Sequence, residues 1–214
     1  MSERHEARFY EVLKDGFVRC TLCPHHCRIA EGGRGVCGAR YHLGGKLYTL
    51  VYNKVVSQNI DPIEKKPLFH FYPGSKAYSV AAVGCSLHCA FCQNWEISQW
   101  AKTQLPGRIS LRGEMEDRGP ASRWLEKLEE AVPGEPVTPQ AIVDAALASG
   151  STSIAYTYTE PTIFYELAYD TAVLARKRGI KNIFVTSGQI DAAPLRELAT
   201  VLDAANIDLK YFTL

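Results

Sequence analysis

The sequence predicts an α/β protein in which strand and helix alternate four times behind a small cysteine-rich N-terminal region. Three observations carry this. Apolar runs at residues 78–83, 153–157, 182–186 and 207–209 have the length and content of buried strands. The stretches before and between the later runs carry helical stripes with start and stop signals. The seven cysteines divide into Cys20, Cys23, Cys27 and Cys37 near the N-terminus and Cys85, Cys89 and Cys92 further on. Alternating strands and helices imply a parallel sheet with right-handed crossovers. Residues 1–75 form the cysteine-rich region with its connecting segment, and residues 76–214 form the repeated part.

Taken in order, the first group has the spacing C-x2-C-x3-C-x9-C, with Pro24 and the Gly32-Gly33 pair supplying turns. Four thiolates close a tetrahedral site, so a metal knuckle is expected. Zinc and a second iron-sulfur cluster both suit it, and His25 or His26 can replace one thiolate. Residues 59–74, with Pro62, Pro67 and Pro73, are too proline-broken for a central strand or helix. They are expected across the mouth of the repeated part, where Lys65, Lys66 and His70 either meet a cofactor or partner or simply pack.

Residues 104–137 are rich in charge and broken by proline and glycine, and read as a solvated insertion. A short helix over 122–131 would put Trp124 and Leu128 on one side. Thr138 then offers an N-cap, Pro139 a first helical residue and Gly150 a stop, around an apolar stripe of Ile142, Val143, Ala146 and Leu147. A helix over 162–178 ends at Gly179. Asp191 is positioned to cap a short helix carrying Leu195, Leu198 and Leu202.

Composition narrows the function. With 214 residues, 24 Lys plus Arg against 23 Asp plus Glu, and 46% hydrophobic residues, the chain has no basic field for nucleic acid or anionic lipid. No run approaches the roughly 20 apolar residues of a membrane span. The N-terminus is polar and lacks the apolar core of a secretion signal, so a cytoplasmic address is expected. In that compartment thiols stay reduced, and cysteines read as metal ligands or redox groups before disulfides.

The second cysteine group follows the first predicted strand as Gly84-Cys85-Ser86-Leu87-His88-Cys89-Ala90-Phe91-Cys92, a C-x3-C-x2-C spacing. A loop at the C-terminal end of a strand is where α/β folds place their chemistry. Three thiolates on a cubane leave one iron without a protein ligand, open to a reactant. Phe91 is expected to shield the metal. The plainer alternatives are zinc completed by His88 or a distant residue, and buried thiols with no role.

C-x3-C-x-aromatic-C after a first strand resembles the signature of the radical S-adenosylmethionine superfamily. Three further stretches extend it: residues 19–38, residues 61–74, and Tyr156-Thr157-Tyr158-Thr159-Glu160-Pro161-Thr162 with Ile207-Asp208-Leu209-Lys210. Together they resemble the AmmeMemoRadiSam system radical enzyme, a group similar to the pyruvate formate-lyase activating enzymes.

The resemblance implies a partial (β/α) barrel, here with about four units and C-terminally short by about two. It implies a [4Fe-4S] cluster on Cys85, Cys89 and Cys92, with S-adenosyl-L-methionine chelating the open iron. An electron donor would reduce the cluster. Reductive cleavage would yield methionine and a 5'-deoxyadenosyl radical, which abstracts hydrogen from a substrate; by analogy with the activating enzymes that substrate is a protein glycine. Glu160 is the candidate acceptor for the methionine ammonium, or else merely an acidic residue in the first turn of its helix. Ser187, Asp208 and Lys210 share the catalytic rim by position and complete the candidate cofactor-binding set. Residues 186–189 read Thr-Ser-Gly-Gln where relatives tend to carry Thr-Asn-Gly. The alternative functions are a non-catalytic or degenerate iron-sulfur protein that needs a partner to complete the barrel, and a zinc-stabilised interaction module.

Overall fold

The structure is a computed structural model and describes residues 4–105 and 128–210. Its centre is a five-stranded sheet. Four strands run parallel: β9 (Lys76–Ala81), β11 (Ser153–Tyr156), β12 (Lys181–Thr186) and β13 (Ala204–Ile207). β8 (Ser57–Pro62) lies antiparallel on the outer side of β9, giving the order β13-β12-β11-β9-β8. Each later parallel strand joins the same side of its predecessor, so right-handed crossovers carry the helices to one face.

Four helices are α1 (Trp95–Thr103), α2 (Pro139–Ala148), α3 (Tyr165–Lys177) and α4 (Ala192–Leu198), and residues 128–131 are helical as well. Thr138 caps α2 as its sequence predicts, its Oγ1 accepting from the Ala141 N–H at 3.2 Å. α2 and α3 pack on each other and on the sheet. Ile142, Val143 and Ala146 are buried, but Leu147, expected in the same stripe, is 37% exposed.

The two faces of the sheet bury different things. Val80, Ile154, Tyr156 and Phe184 enter the main core under the helices. On the other face Ala77, Ala155 and Ile183 are covered by Ile63, Leu68 and Phe71. Small residues there leave room for the segment that follows β8 to fold back over the sheet. Residues 59–74 are thus an edge strand ending at Pro62, a 3-10 turn at Ile63–Lys65 and a cover. An edge position tolerates the prolines that a central strand would reject.

The N-terminal region supplies a small antiparallel framework that sequence periodicity missed, because its strands are two to four residues long. β1 (His5–Glu6), β5 (Arg40–Leu43) and β6 (Lys46–Thr49) form one sheet. β2 (Tyr10–Val12), β3 (Val18–Cys20) and β4 (Arg28–Ile29) form another. β7 (Lys54–Val55) pairs with β10 (Glu135–Pro136). One hydrophobic core runs from Val18 and Leu47 through to Ala172 and Leu198. A bidentate ion pair crosses it: Arg40 Nη1 and Nη2 donate to Glu166 Oε1 and Oε2 at 3.0 and 2.7 Å, with both side chains buried.

Several expected elements shift. The last strand is Ala204–Ile207 and not 207–209, because Thr186 at the end of β12 pairs with Ile207. The helix expected over 162–178 opens as a 3-10 turn, Pro161–Phe164, before α3 begins. Asp191 precedes α4 without a side-chain cap, since its carboxylate is taken by His26 Nε2 at 2.5 Å. The middle of the expected insertion, including Trp124, lies outside the described residues. Its described ends are partly packed: Leu105, Leu128 and Val132 are buried, while Gln104, Glu130, Ala131, Glu135 and Pro136 are exposed.

Candidate functional site

The loop after β9 turns at Gly84, whose φ of +102° excludes most side chains and whose Cβ would meet the Cys37 carbonyl oxygen at 2.8 Å. Cys85 follows at once. Its sulfur accepts from the Leu87 N–H at 3.4 Å. Burial pushes the Cys85 thiol up, and the backbone amides of Leu87 and Glu160 work against that. α1 presents three polar side chains to the loop. Ser98 Oγ lies 3.3 Å from Cys92 Sγ, while Gln99 Nε2 and Lys102 Nζ donate to the Leu87 carbonyl at 3.1 and 2.7 Å. Burial lowers the Lys102 pKa, and the charges of Cys85, Cys37, Cys89 and Cys92 oppose the shift.

Cys85, Cys89 and Cys92 open on a cavity of about 590 Å³ at the C-terminal rim of the parallel strands, and Glu160, Ser187, Asp208 and Lys210 line the same cavity. All seven residues selected from the sequence therefore meet. Phe91 lines the cavity too but is 67% exposed, so it shields less than expected. His88 is exposed and not among the lining residues. Lys65, Lys66 and Pro67 reach the cavity from the covering segment; His70 does not.

Glu160 is the most heavily bonded group at the rim. Its Oε1 accepts from Thr162 N at 3.2 Å, Thr162 Oγ1 at 2.8 Å and Thr186 Oγ1 at 2.6 Å. Its Oε2 accepts from Ser187 N at 2.8 Å and Ser187 Oγ at 2.6 Å. A carboxylate has about four lone-pair sites, so five donors use its capacity. The residue is the N-cap of the 3-10 turn rather than a member of its first turn. A ligand cation reaches Oε2 only when the Ser187 hydroxyl, the one freely rotating donor there, gives way. Asp208 and Lys210 pair with each other at 3.1 Å just past β13.

Sequence reading missed the other polar centre. Asp61, at the end of β8, accepts from Lys66 Nζ at 2.6 Å, Lys65 Nζ at 2.9 Å, Ser79 Oγ at 2.8 Å and Tyr158 OH at 2.5 Å. Burial would raise its carboxyl, but the hydrogen bonds from Lys66, Tyr158, Lys65 and Ser79 outweigh it and hold the pKa well below the usual carboxylate range. Tyr158 has φ of 65°, and its carbonyl accepts from Asn94 Nδ2 at 2.8 Å. It thus ties the cysteine loop to Asp61. Three prolines in the segment drew attention from the one buried acid among them.

The four N-terminal cysteines line a second, enclosed cavity with Leu22, His25, Ile29, Val36, Arg40 and Ile163. Among the described residues no three His, Cys, Asp or Glu side chains already stand in metal-ligating geometry. The triad nonetheless fits a cluster by its chemistry. Three thiols on one short loop, with the Leu87 amide donating to Cys85 and the half-buried Lys102 ammonium bonded to the same loop, are groups that favour thiolates.

Residues 79–213 match the family profile of the radical SAM superfamily. The chain belongs to this superfamily. Two uncharacterized proteins of Methanocaldococcus jannaschii are also similar to it. One is 44% identical over 205 residues, which is 96% of this chain and 53% of that protein. The other is 27% identical over 90 residues, 42% of this chain and 22% of that protein. The chain thus spans about half the length of the first relative and less of the second. Radical SAM proteins typically use a [4Fe-4S] cluster and S-adenosylmethionine, and the matched residues include the cysteine triad and every strand of the parallel sheet from Ser79 onward. Among the described residues no helix is long and apolar enough to cross a membrane.

Proposed function

We propose that this radical SAM protein holds a [4Fe-4S] cluster on Cys85, Cys89 and Cys92, binds S-adenosylmethionine in the adjoining cavity, and acts as a hydrogen-abstracting enzyme similar to glycyl-radical activases. The observation that carries the proposal is the convergence of the triad with Glu160, Ser187, Asp208 and Lys210 on one cavity. Its volume of about 590 Å³ falls within the roughly 300 to 1,000 Å³ of cofactor sites.

When bound, the reduced cluster supplies the electron that cleaves a carbon-sulfur bond of S-adenosylmethionine, giving methionine and a carbon-centred radical. The chain's own groups do the rest. Lys102 and the amides of Leu87 and Glu160 favour the ligating thiolates. Glu160 fixes the turns after β11 and β12 and, with Ser187 rotated, accepts the ligand ammonium. Asp208 and Lys210 hold polar groups of the ligand on the far rim. The cover formed by Lys65, Lys66 and Pro67 excludes water from one side. The AmmeMemoRadiSam resemblance, the activase-like substrate, the four-unit partial barrel and the cytoplasmic address belong to the same proposal.

Anaerobic reconstitution with iron and sulfide, reduction, and addition of S-adenosylmethionine should yield 5'-deoxyadenosine. Cys92→Ala should yield none. An intact cluster that gives no 5'-deoxyadenosine would favour a non-catalytic iron-sulfur role.

A further inference from the structure

The four N-terminal cysteines take no part in that reading. Cys20, Cys23 and Cys27 come from the hairpin between β3 and β4, which is closed by the Cys20 N–H donating to the Cys27 carbonyl at 3.0 Å. Cys37 comes from the turn before β5. All four line one cavity of about 20 Å³, whose other walls include Leu22, Ile29, Val36 and Ile163.

Two features mark the cavity as a place for thiolates. The backbone N–H of Val36 donates to the Cys27 sulfur at 3.4 Å. Arg40, a cation, lines the same cavity. Thiols buried among apolar side chains would need neither. Size then decides the occupant. About 20 Å³ is close to the space of a single water-sized sphere. A single ion asks for less rearrangement of these walls than the eight-atom core of a cubane. The histidines are engaged elsewhere, His25 Nε2 with the Ser86 carbonyl at 2.8 Å and His26 with Asp191.

We propose that Cys20, Cys23, Cys27 and Cys37 bind one Zn²⁺ as a tetrahedral tetrathiolate, and that this centre seats the loop carrying Cys85. Binding needs side-chain rotation to bring the sulfurs onto the ion. The four thiols release their protons to solvent as the four Zn–S bonds form, with no change in redox state. The seat is direct. Gly84 packs on the Cys37 carbonyl, Ser86 is held by His25, and the Leu22 carbonyl accepts from Asp191 N at 3.0 Å in the loop after β12.

The test uses the full chain with Cys85, Cys89 and Cys92 all replaced by Ala, so that it is independent of the S-adenosylmethionine reading. Produced with both iron and zinc supplied, it should carry one zinc per chain and no acid-labile sulfide, and adding Cys23→Ala should abolish the zinc. Iron with labile sulfide in the triple variant, or no stoichiometric metal, would overturn the proposal. Should Cys23→Ala fail to fold, Co²⁺ added to the metal-free triple variant should give the d–d absorption of a tetrahedral cobalt thiolate, and its absence would overturn the site. For the seat, metal removal should cost hydrogen-exchange protection at the Gly84 amide, which donates to the Ile97 carbonyl at 3.0 Å. Unchanged protection would overturn it.

Discussion

The carboxylate of Glu160 accepts from Thr186 Oγ1 at 2.6 Å, joining the loop after β11 to the end of β12. The same residue's carboxylate gathers the loop after β12 through Ser187. Glu160→Gln turns an acceptor toward donors and presents an amide N–H₂ where a carboxylate oxygen accepted. It should weaken S-adenosylmethionine binding by about ten- to a hundredfold, the size of one charge-assisted hydrogen bond. Ser187→Ala removes only one donor and should leave binding within about threefold. Equilibrium dialysis against reconstituted protein measures both.

Gly84→Ala places a methyl group against the Cys37 carbonyl at a backbone angle that L residues avoid. The strain should cost about 1 to 3 kcal/mol. It should also lower the iron retained after reconstitution, because the displaced residue adjoins Cys85. Thermal melts and iron analysis of the same preparation test the two effects separately.

Asp61→Asn leaves the buried Lys66 ammonium without its counter-charge, at a cost of about 3 kcal/mol or more. The pH dependence has a definite sign. A carboxyl depressed below 3.8 on folding contributes its stability above that value and loses it as pH falls further. The gap between wild type and Asp61→Asn should therefore be full at neutral pH and narrow below about pH 3.8. Denaturant titrations across the acid range will show it, and a gap independent of pH would contradict it.

Glu166→Gln breaks the buried pair with Arg40 and should destabilise by about 3 to 5 kcal/mol. Replacing both partners by apolar residues, Arg40→Met with Glu166→Leu, should recover part of the loss, since no uncompensated charge remains. Chemical denaturation of the three variants distinguishes the cost of an orphaned charge from the worth of the pair.

Much of the repeated part was legible because its signals are local. Thr138 and Pro139 announce α2, and the apolar runs announce β9, β11 and β12 to within two or three residues. Parallel order then brings Cys85, Glu160, Ser187 and Asp208 to one rim, since each follows a strand. What escaped depends on pairing between distant segments. The N-terminal strands are too short to show a period, and β8 is a strand by virtue of its pairing with β9. Asp61 gains its meaning from Lys66, Ser79 and Tyr158, and Tyr158 lies 97 residues away. Asp191 looked like a cap, but its competing partner His26 lies 165 residues earlier in the chain.

The order of the parallel strands bears on how the chain reaches this state. β9, β11, β12 and β13 lie side by side in the order they are made, so each parallel pair is separated by a single crossover. The sheet can grow one unit at a time with modest loop-closure cost. The contact between Arg40 and Glu166 spans 126 residues and requires both ends of that growth to be in place. Docking of the N-terminal strands should therefore complete the fold.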